Sequence, residues 1–202
     1  MDMFLNLRAE KQEHIINAAL SVFGKNGYKK SSVADIAEQA GIAKGMINYY
    51  FGSKKNLYLY LADFCSKLML SEMEAKFDRS VTDYFDRQKM SIRIKIDMIK
   101  RHPAILSFLA NLYSEKDENV AEEIAMLISR GGEAREKWVH AEVDASKFNE
   151  DVDPKLLDKM IIWMAEGFVK NLENGPDVDE IESFAQDLFE YLDLIKKYFY
   201  KN

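Results

Sequence analysis

A chain of 202 residues with 48% apolar content can bury a substantial core and fits one or two globular domains. Three prolines and nine glycines favour long helices over β-architecture, and one cysteine, Cys65, excludes an intrachain disulfide and fits a reducing cytoplasm. The net charge of −6 argues against a nucleic-acid partner until its distribution is read: residues 1–58 hold eight Lys/Arg against five Asp/Glu, and the remainder holds 20 against 29. No run approaches 18 apolar residues and the amino terminus lacks a signal-peptide layout, so neither membrane spanning nor export is expected.

The first predicted helix covers about Leu7 to Asn26. Ile16, Ala19, Leu20 and Phe23 form one apolar stripe, Gly27-Tyr28 ends the helix, and the residues before Leu7 are left as a tail. Ser31 to Leu57 then has the layout of a helix-turn-helix. Ser32 followed by Asp35 is a capping-box-like start, Ala37 is small where two helices must approach, and Gly41 sits where the turn needs a positive φ. Val33, Ile36, Ala40, Ile42, Ile47 and Tyr50 supply the apolar positions, and Ser53 can cap a helix starting near Lys54. The second helix of the pair, about Ala43 to Tyr50, exposes Ala43, Lys44, Gly45, Asn48 and Tyr49. Gly45 inside a helix costs about 1 kcal/mol relative to alanine, which makes sense if bulky DNA must lie against the backbone there. No Asp or Glu occurs from Gln39 to Ala62, a run holding Lys44, Lys54 and Lys55; carboxylates there would repel a phosphate backbone.

These residues resemble the TetR family of transcriptional regulators. The resemblance runs from Ile15-Ile16-Asn17-Ala18-Ala19 through Phe23, Gly27-Tyr28, Ser32, Asp35-Ile36-Ala37 and Ala40-Gly41-Ile42-Ala43-Lys44-Gly45 to Tyr49-Tyr50-Phe51, Ser53-Lys54 and Leu57. It covers about the first 57 residues. Ala43 stands where serine or threonine is common in the family, Met46 where threonine is, and Asn48 where tyrosine is; these departures bear on base-level specificity. The resemblance implies an all-α protein of about nine helices, with a DNA-binding domain over 1–52 and an effector-binding and dimerisation domain over 53–202. Lys44, Asn48 and Tyr49 are then expected at bases or the groove wall. Ser32, Tyr50, Lys54 and backbone amides at helix starts are expected on phosphates, and Asn48 suits adenine.

Beyond the head, a long helix is predicted from Ser53 to about Phe77, and a second from Val81 to Arg101 carries Ile92, Ile96 and Ile99. Pro103 opens the next helix, which runs to Ser114, and Lys116 to Asn119 is a polar loop. A helix over about Val120 to Val143 follows, with Gly131-Gly132 as a kink or point of close approach. Asn149 to Pro154 is an acidic connector that lacks the spacing of a calcium loop. The last two helices, Pro154 to about Leu172 and Val178 to Phe199 around an Asn174-Gly175-Pro176 turn, carry apolar arcs wider than one core needs. That excess predicts a four-helix homodimer interface through Leu157, Met160, Ile161, Met164, Ile181, Phe184, Leu188, Leu192 and Ile195, and pairing through the last two helices is also what the resemblance implies.

The sequence contains no P-loop, no GxGxxG, no Cys/His cluster and no nucleophile elbow, so no catalytic or metal-binding residues and no cofactor are expected. The resemblance implies a pocket among the middle helices, with Phe64, Leu68, Ile99, Phe108, Leu112, Ile128, Trp138, Trp163, Met164 and Phe168 as candidates for its wall. Methionine and aromatic side chains in the body suit a lipophilic effector. The expectation is a cytoplasmic homodimeric regulator, a repressor in most of the family, that leaves a palindromic double-stranded operator when a small molecule binds. A helical small-molecule carrier with a vestigial head is the alternative.

Overall fold

The computed structural model describes residues 2–171 and 178–201. Among them the protein is all-α: α1 (Asp2–Leu5), α2 (Ala9–Lys30), α3 (Val33–Gln39), α4 (Lys44–Phe51), α5 (Lys54–Lys76), α6 (Tyr84–Arg101), α7 (Ala104–Ser114), α8 (Ala121–Arg135), α9 (Pro154–Asn171) and α10 (Val178–Phe199). A π-helical turn, Glu136–His140, and a 3-10 turn, Ala145–Lys147, lie between α8 and α9. The predicted Asn174-Gly175-Pro176 turn and the side chain of Phe168 lie outside the described residues. The helices form two compact units, one of Met1–Leu68 with His102–Gly131 and the other of Met69–Arg101 with Gly132–Asn202. This grouping by packing is a different matter from a functional division at residue 52.

In the first unit α2 is the organising helix. Ile15, Ile16, Ala19, Leu20 and Phe23 are buried along one stripe, and each large side chain so buried contributes on the order of 2 kcal/mol. α2 crosses α7 at Gly24, where a Cβ would sit 2.5 Å from Ser107 Oγ and 2.9 Å from the Phe108 backbone nitrogen, so only glycine fits. Gly27, at φ 69° and ψ 177°, breaks the helical path; a last short turn continues to Lys30. Phe23, Tyr28, Tyr58 and Phe108 close over this kink, Tyr58 lying with ring centroids 4.9 Å from Phe23, 5.0 Å from Tyr28 and 5.3 Å from Phe108. The first residues are not a tail. They form α1, which docks through a fully buried Phe4 against Tyr50, Phe51 and Tyr60.

The second unit has two apolar clusters. One joins Tyr84, Phe85, Phe148, Leu157, Ile161 and Leu192; the other joins Met73, Phe77, Ile94, Trp138 and Val139. Arg87 is almost wholly buried beside the second cluster and donates to the carbonyls of Val81 (2.6 Å), Trp138 (2.8 Å) and Val139 (3.2 Å). It thereby satisfies backbone oxygens that the π-helical turn leaves over. Asp83 pairs with Lys147 and Lys196, each at 3.0 Å, and an antiparallel bridge joins Phe148 to Tyr200. Gly131 and Gly132 are regular helical residues with open space where a Cβ would stand, so neither marks a kink or a close approach. The boundary between the two units falls between them.

Candidate nucleic-acid interface

The helix-turn-helix is held by local chemistry. Ser32 Oγ accepts from the Asp35 amide at 3.1 Å and caps α3. Gly41 turns the chain at φ 64°, and its successor Ile42 donates back to Ala37 at 2.9 Å. Gly52 ends α4 at φ 76°, and Ser53 Oγ accepts from the Asn56 amide at 3.1 Å to start α5. Ile36, Ala37, Ile47, Tyr50 and Phe51 turn inward and are buried. The rotation of α4 is thereby fixed, and Ala43, Lys44, Gly45, Asn48 and Tyr49 all face solvent, Tyr49 at 56% exposure. A Cβ at Gly45 would meet nothing within 4 Å, so the protein itself gives no packing reason for a glycine there.

Two expected phosphate ligands are otherwise engaged. Lys54 Nζ donates to the carbonyls of Tyr28 (2.8 Å), Ser31 (3.1 Å) and Lys29 (3.5 Å) and lies 4.4 Å from the Tyr28 ring centroid. It neutralises the carbonyl end of α2 beyond the Gly27 break, where Ser31 Oγ also donates to the Gly27 carbonyl at 2.6 Å. Tyr50 is an interior residue whose ring packs edge-on against Phe4. Lys55 is paired with Glu123 at 2.6 Å, so among the described residues Lys44 is the one lysine of the acid-free run without a side-chain partner. Exposed Arg8, Lys11 and His14 line a surface groove of about 370 Å³ with Glu10, Ala40, Gly41 and Ile42, next to the helix-turn-helix turn. Sequence reasoning assigns none of the three to the site; their one signal is the three-residue spacing Arg8, Lys11, His14.

The other expected sites divide differently. Leu157, Ile161, Ile181, Leu188 and Leu192 are buried inside the second unit and have no surface to offer a partner; Met164 and Ile195 pack onto the same core, and Phe184 is half-buried. Only Met160 of the expected interface is well exposed. Beside it the outward faces carry Leu156 and Trp163 on α9 and Tyr191, Leu194 and Tyr198 on α10, with Trp163 at 64% and Tyr198 at 66% exposure. Apolar residues on α9 and α10 thus occupy an inward face and an outward one, and most of the expected interface set lies on the inward face.

The ten pocket candidates are not gathered within either unit. Phe108 and Leu112 are core of the first unit, where Phe64 and Leu68 are half-buried and Ile128 is exposed. In the second unit Trp138 packs on Phe77, Ile99 is half-buried, Met164 is core and Trp163 faces outward. A groove of about 520 Å³ in the first unit is lined by Leu5, Asn56, Leu59, Tyr60, Asp63, Phe64 and Lys67 and takes in Phe64 alone of the ten.

Comparison with known proteins bears on this geometry. Residues 15–61 match the model of the bacterial regulatory proteins, tetR family, a span that holds α3, α4 and the face just described. Over those residues the chain carries a TetR-family DNA-binding domain. It is 25% identical over 188 residues to YvdT of Bacillus subtilis, an uncharacterized HTH-type transcriptional regulator, covering 90% of this chain and 93% of that protein. The crystal structure of a TetR family transcriptional regulator from Chloroflexus aurantiacus superposes with a TM-score of 0.77 at 19% identity, covering 100% of this chain and 99% of the other. FadR from Bacillus subtilis, solved in complex with stearoyl-CoA, superposes with a TM-score of 0.66 at 19% identity over 89% of this chain and 96% of that one. At these identities the structural likenesses establish the fold. The chain is a DNA-binding transcription regulator with a helix-turn-helix. Among the described residues no helix is long and apolar enough to cross a membrane.

Proposed function

We propose that this TetR-family regulator binds a palindromic operator as a homodimer, represses from it, and releases it when a small lipophilic molecule occupies the body. The carrying observation is the solvent face of α4: Ala43, Lys44, Gly45, Asn48 and Tyr49 exposed together on a helix whose rotation is fixed by buried Ile47, Tyr50 and Phe51. In this reading Gly45 lets the backbone approach the duplex, Asn48 and Tyr49 read base edges, and Lys44 with Arg8 and Lys11 holds phosphates. Ser32 can still donate its hydroxyl proton to a phosphate while its oxygen caps α3. Residues 1–52 then form the DNA-binding domain, and 53–202 carry effector binding and dimerisation.

The homodimer is assigned to the outward apolar faces of the last two helices. Leu156, Met160 and Trp163 recur at helical spacing on α9, as do Tyr191, Leu194 and Tyr198 on α10, and large exposed residues so arranged mark interaction surfaces. The lipophilic effector is supported by the many methionine and aromatic residues of the body and by the stearoyl-CoA bound to FadR. Effector and operator would each favour a different separation of the two heads, so that each lowers the affinity of the other.

The test is a footprint on the chain's own upstream region at moderate salt, beside the sedimentation of the wild type and of Trp163→Glu. The expected outcome is a protected palindrome for a wild-type dimer, and loss of both dimer and footprint in the variant. A monomeric wild type with no footprint would refute the reading and favour the carrier.

A further inference from the structure

Beside the apolar side chains of Phe85, Ile94, Ile96 and Met98, α6 buries one polar stripe. Tyr84, Gln88, Ser91 and Lys95 recur at intervals of four, three and four residues and so share one stripe of the helix. The first three are each 1% exposed. At the amino end of this stripe the polar groups are satisfied. Asp158 Oδ1 accepts from Arg135 Nη2 (2.6 Å), Gln88 Nε2 (3.0 Å) and Tyr84 Oη (3.3 Å), and His140 Nε2 lies 3.2 Å away; Oδ2 accepts from Arg135 Nε (3.2 Å). Arg135 Nη2 also donates to Gln88 Oε1 at 2.9 Å. Asp158 is therefore fully engaged by partners other than Lys95.

One turn further on the satisfaction stops. The Ser91 hydroxyl is buried and has no hydrogen-bond partner. Lys95 has no carboxylate within ion-pair distance among the described residues, although the charges of Arg135 and Asp158 both act on it. Two cations, Lys95 and Arg135, thus face one carboxylate that Arg135 already neutralises. A half-buried cation without a carboxylate of its own, one turn from an idle buried hydroxyl, is what an oxyanion would complete.

We propose that Ser91 and Lys95, backed by Arg135, seat a carboxylate or phosphate oxyanion of the effector. This rests on the reading that the body takes a small molecule, and it specifies one charged end for that molecule. Ser91 donates its hydroxyl proton, Lys95 gives charge and up to three donors, and Arg135 stays on Asp158 and adds field. Burial, and then the positive charge of Arg135, push the Lys95 ammonium down to about 8, with Asp158 opposing. Anion binding draws on the protonated form, so affinity for a carboxylate should be level from about pH 6 to pH 7 and fall as pH rises through 8, by up to about tenfold per unit.

The experiment is calorimetric titration of the full chain with octanoate, its neutral counterpart octanol, and acetate. Octanoate should bind at least about tenfold more tightly than octanol to wild type, the scale of a charge-assisted pair. Lys95→Met should bind the two alike and lose the pH dependence, Lys95→Arg should keep the preference, and Ser91→Ala should reduce it. Thermal unfolding of each variant shows that it is folded. Acetate competing with octanoate identifies a small free oxyanion as the occupant, and acetate without effect identifies the headgroup of an amphiphile; both support the seat. No octanoate preference in wild type, no octanoate binding at all, or a preference unchanged in Lys95→Met overturns it. A footprint without octanoate preference sinks the seat alone, and Lys95-dependent octanoate binding without a footprint sinks the regulator alone.

Discussion

The two packing units handle buried polarity in opposite ways. Among the described residues, five polar or charged ones are buried: Ser31 lies in the first unit, and Asp83, Arg87, Gln88 and Ser91 lie in the second. The first unit is closed by rings and helix caps, and its half-buried cation Lys54 is spent on backbone carbonyls. A DNA reader gains from this, because α4 is held rigid by interactions that neither pH nor salt titrates. The second unit is closed partly by charge, around Asp158 and Asp83. Charge burial is a costly way to build a core, but it makes stability depend on what binds and on proton concentration.

The largest effect that sharpens this contrast is expected at Asp158. Asp158→Ala strips the buried partner from Arg135 and should cost about 3–5 kcal/mol in urea unfolding. The proton linkage has the same origin. Although burial raises the Asp158 pKa, hydrogen bonds from His140 and Arg135 and the charge of Arg135 outweigh it and hold the carboxyl well below the usual carboxylate range. A carboxyl depressed on folding stabilises fully above its unfolded pKa near 4 and loses that contribution as pH falls toward its folded value. Stability measured from pH 5 down to pH 2 should therefore fall in wild type, and fall less steeply in Asp158→Ala. Equal slopes would show that Asp158 does not carry the acid sensitivity.

A smaller loss, about 1–3 kcal/mol, is expected from Gly24→Ala in the first unit, because a methyl there meets Ser107 Oγ and the Phe108 backbone nitrogen. That loss should be the same at pH 4 and pH 7. A pH-dependent loss would break the contrast between the units.

What was legible in the sequence follows the range of the chemistry. Ser32, Gly41 and Ser53 act on backbone within three to five residues of themselves, so caps and turn could be read directly, and the inward set Ile36, Ala37 and Ile47 followed from the helical period. The capping role of Lys54 was not legible because its acceptors lie 23 to 26 residues upstream and become a cation site only once Gly27 breaks α2. On α9 and α10 apolar residues occupy more than half the circumference, so period alone could not set the phase: Leu157 and Trp163 both fit a stripe, and only packing sends one inward and the other out. Arg135, His140 and Asp158 stand in no sequence pattern that sets them apart from other charged residues. Their convergence with Gln88 joins three helices and a π-helical turn, which no local pattern encodes.

The smallest change in stability, and the sharpest separation of roles, is expected from two lysines ten residues apart. Lys54→Met removes donors from three carbonyls and a cation from the face of Tyr28, and should cost on the order of 1 kcal/mol. Lys44→Met removes a solvated side chain and should stay within about 0.5 kcal/mol of wild type. On DNA the order reverses. If Lys44 meets a phosphate, its loss weakens binding similarly for every duplex and lowers the slope of log affinity against log salt by about 0.9. Lys54→Met weakens binding only as far as it loosens the end of α2, and its salt slope matches wild type because no phosphate contact is lost. Parallel salt titrations of the three proteins on one duplex decide this. A slope lowered by Lys54→Met and unchanged by Lys44→Met would mean that the ammonium leaves its carbonyls for DNA, and that the capping role belongs to the unbound protein alone.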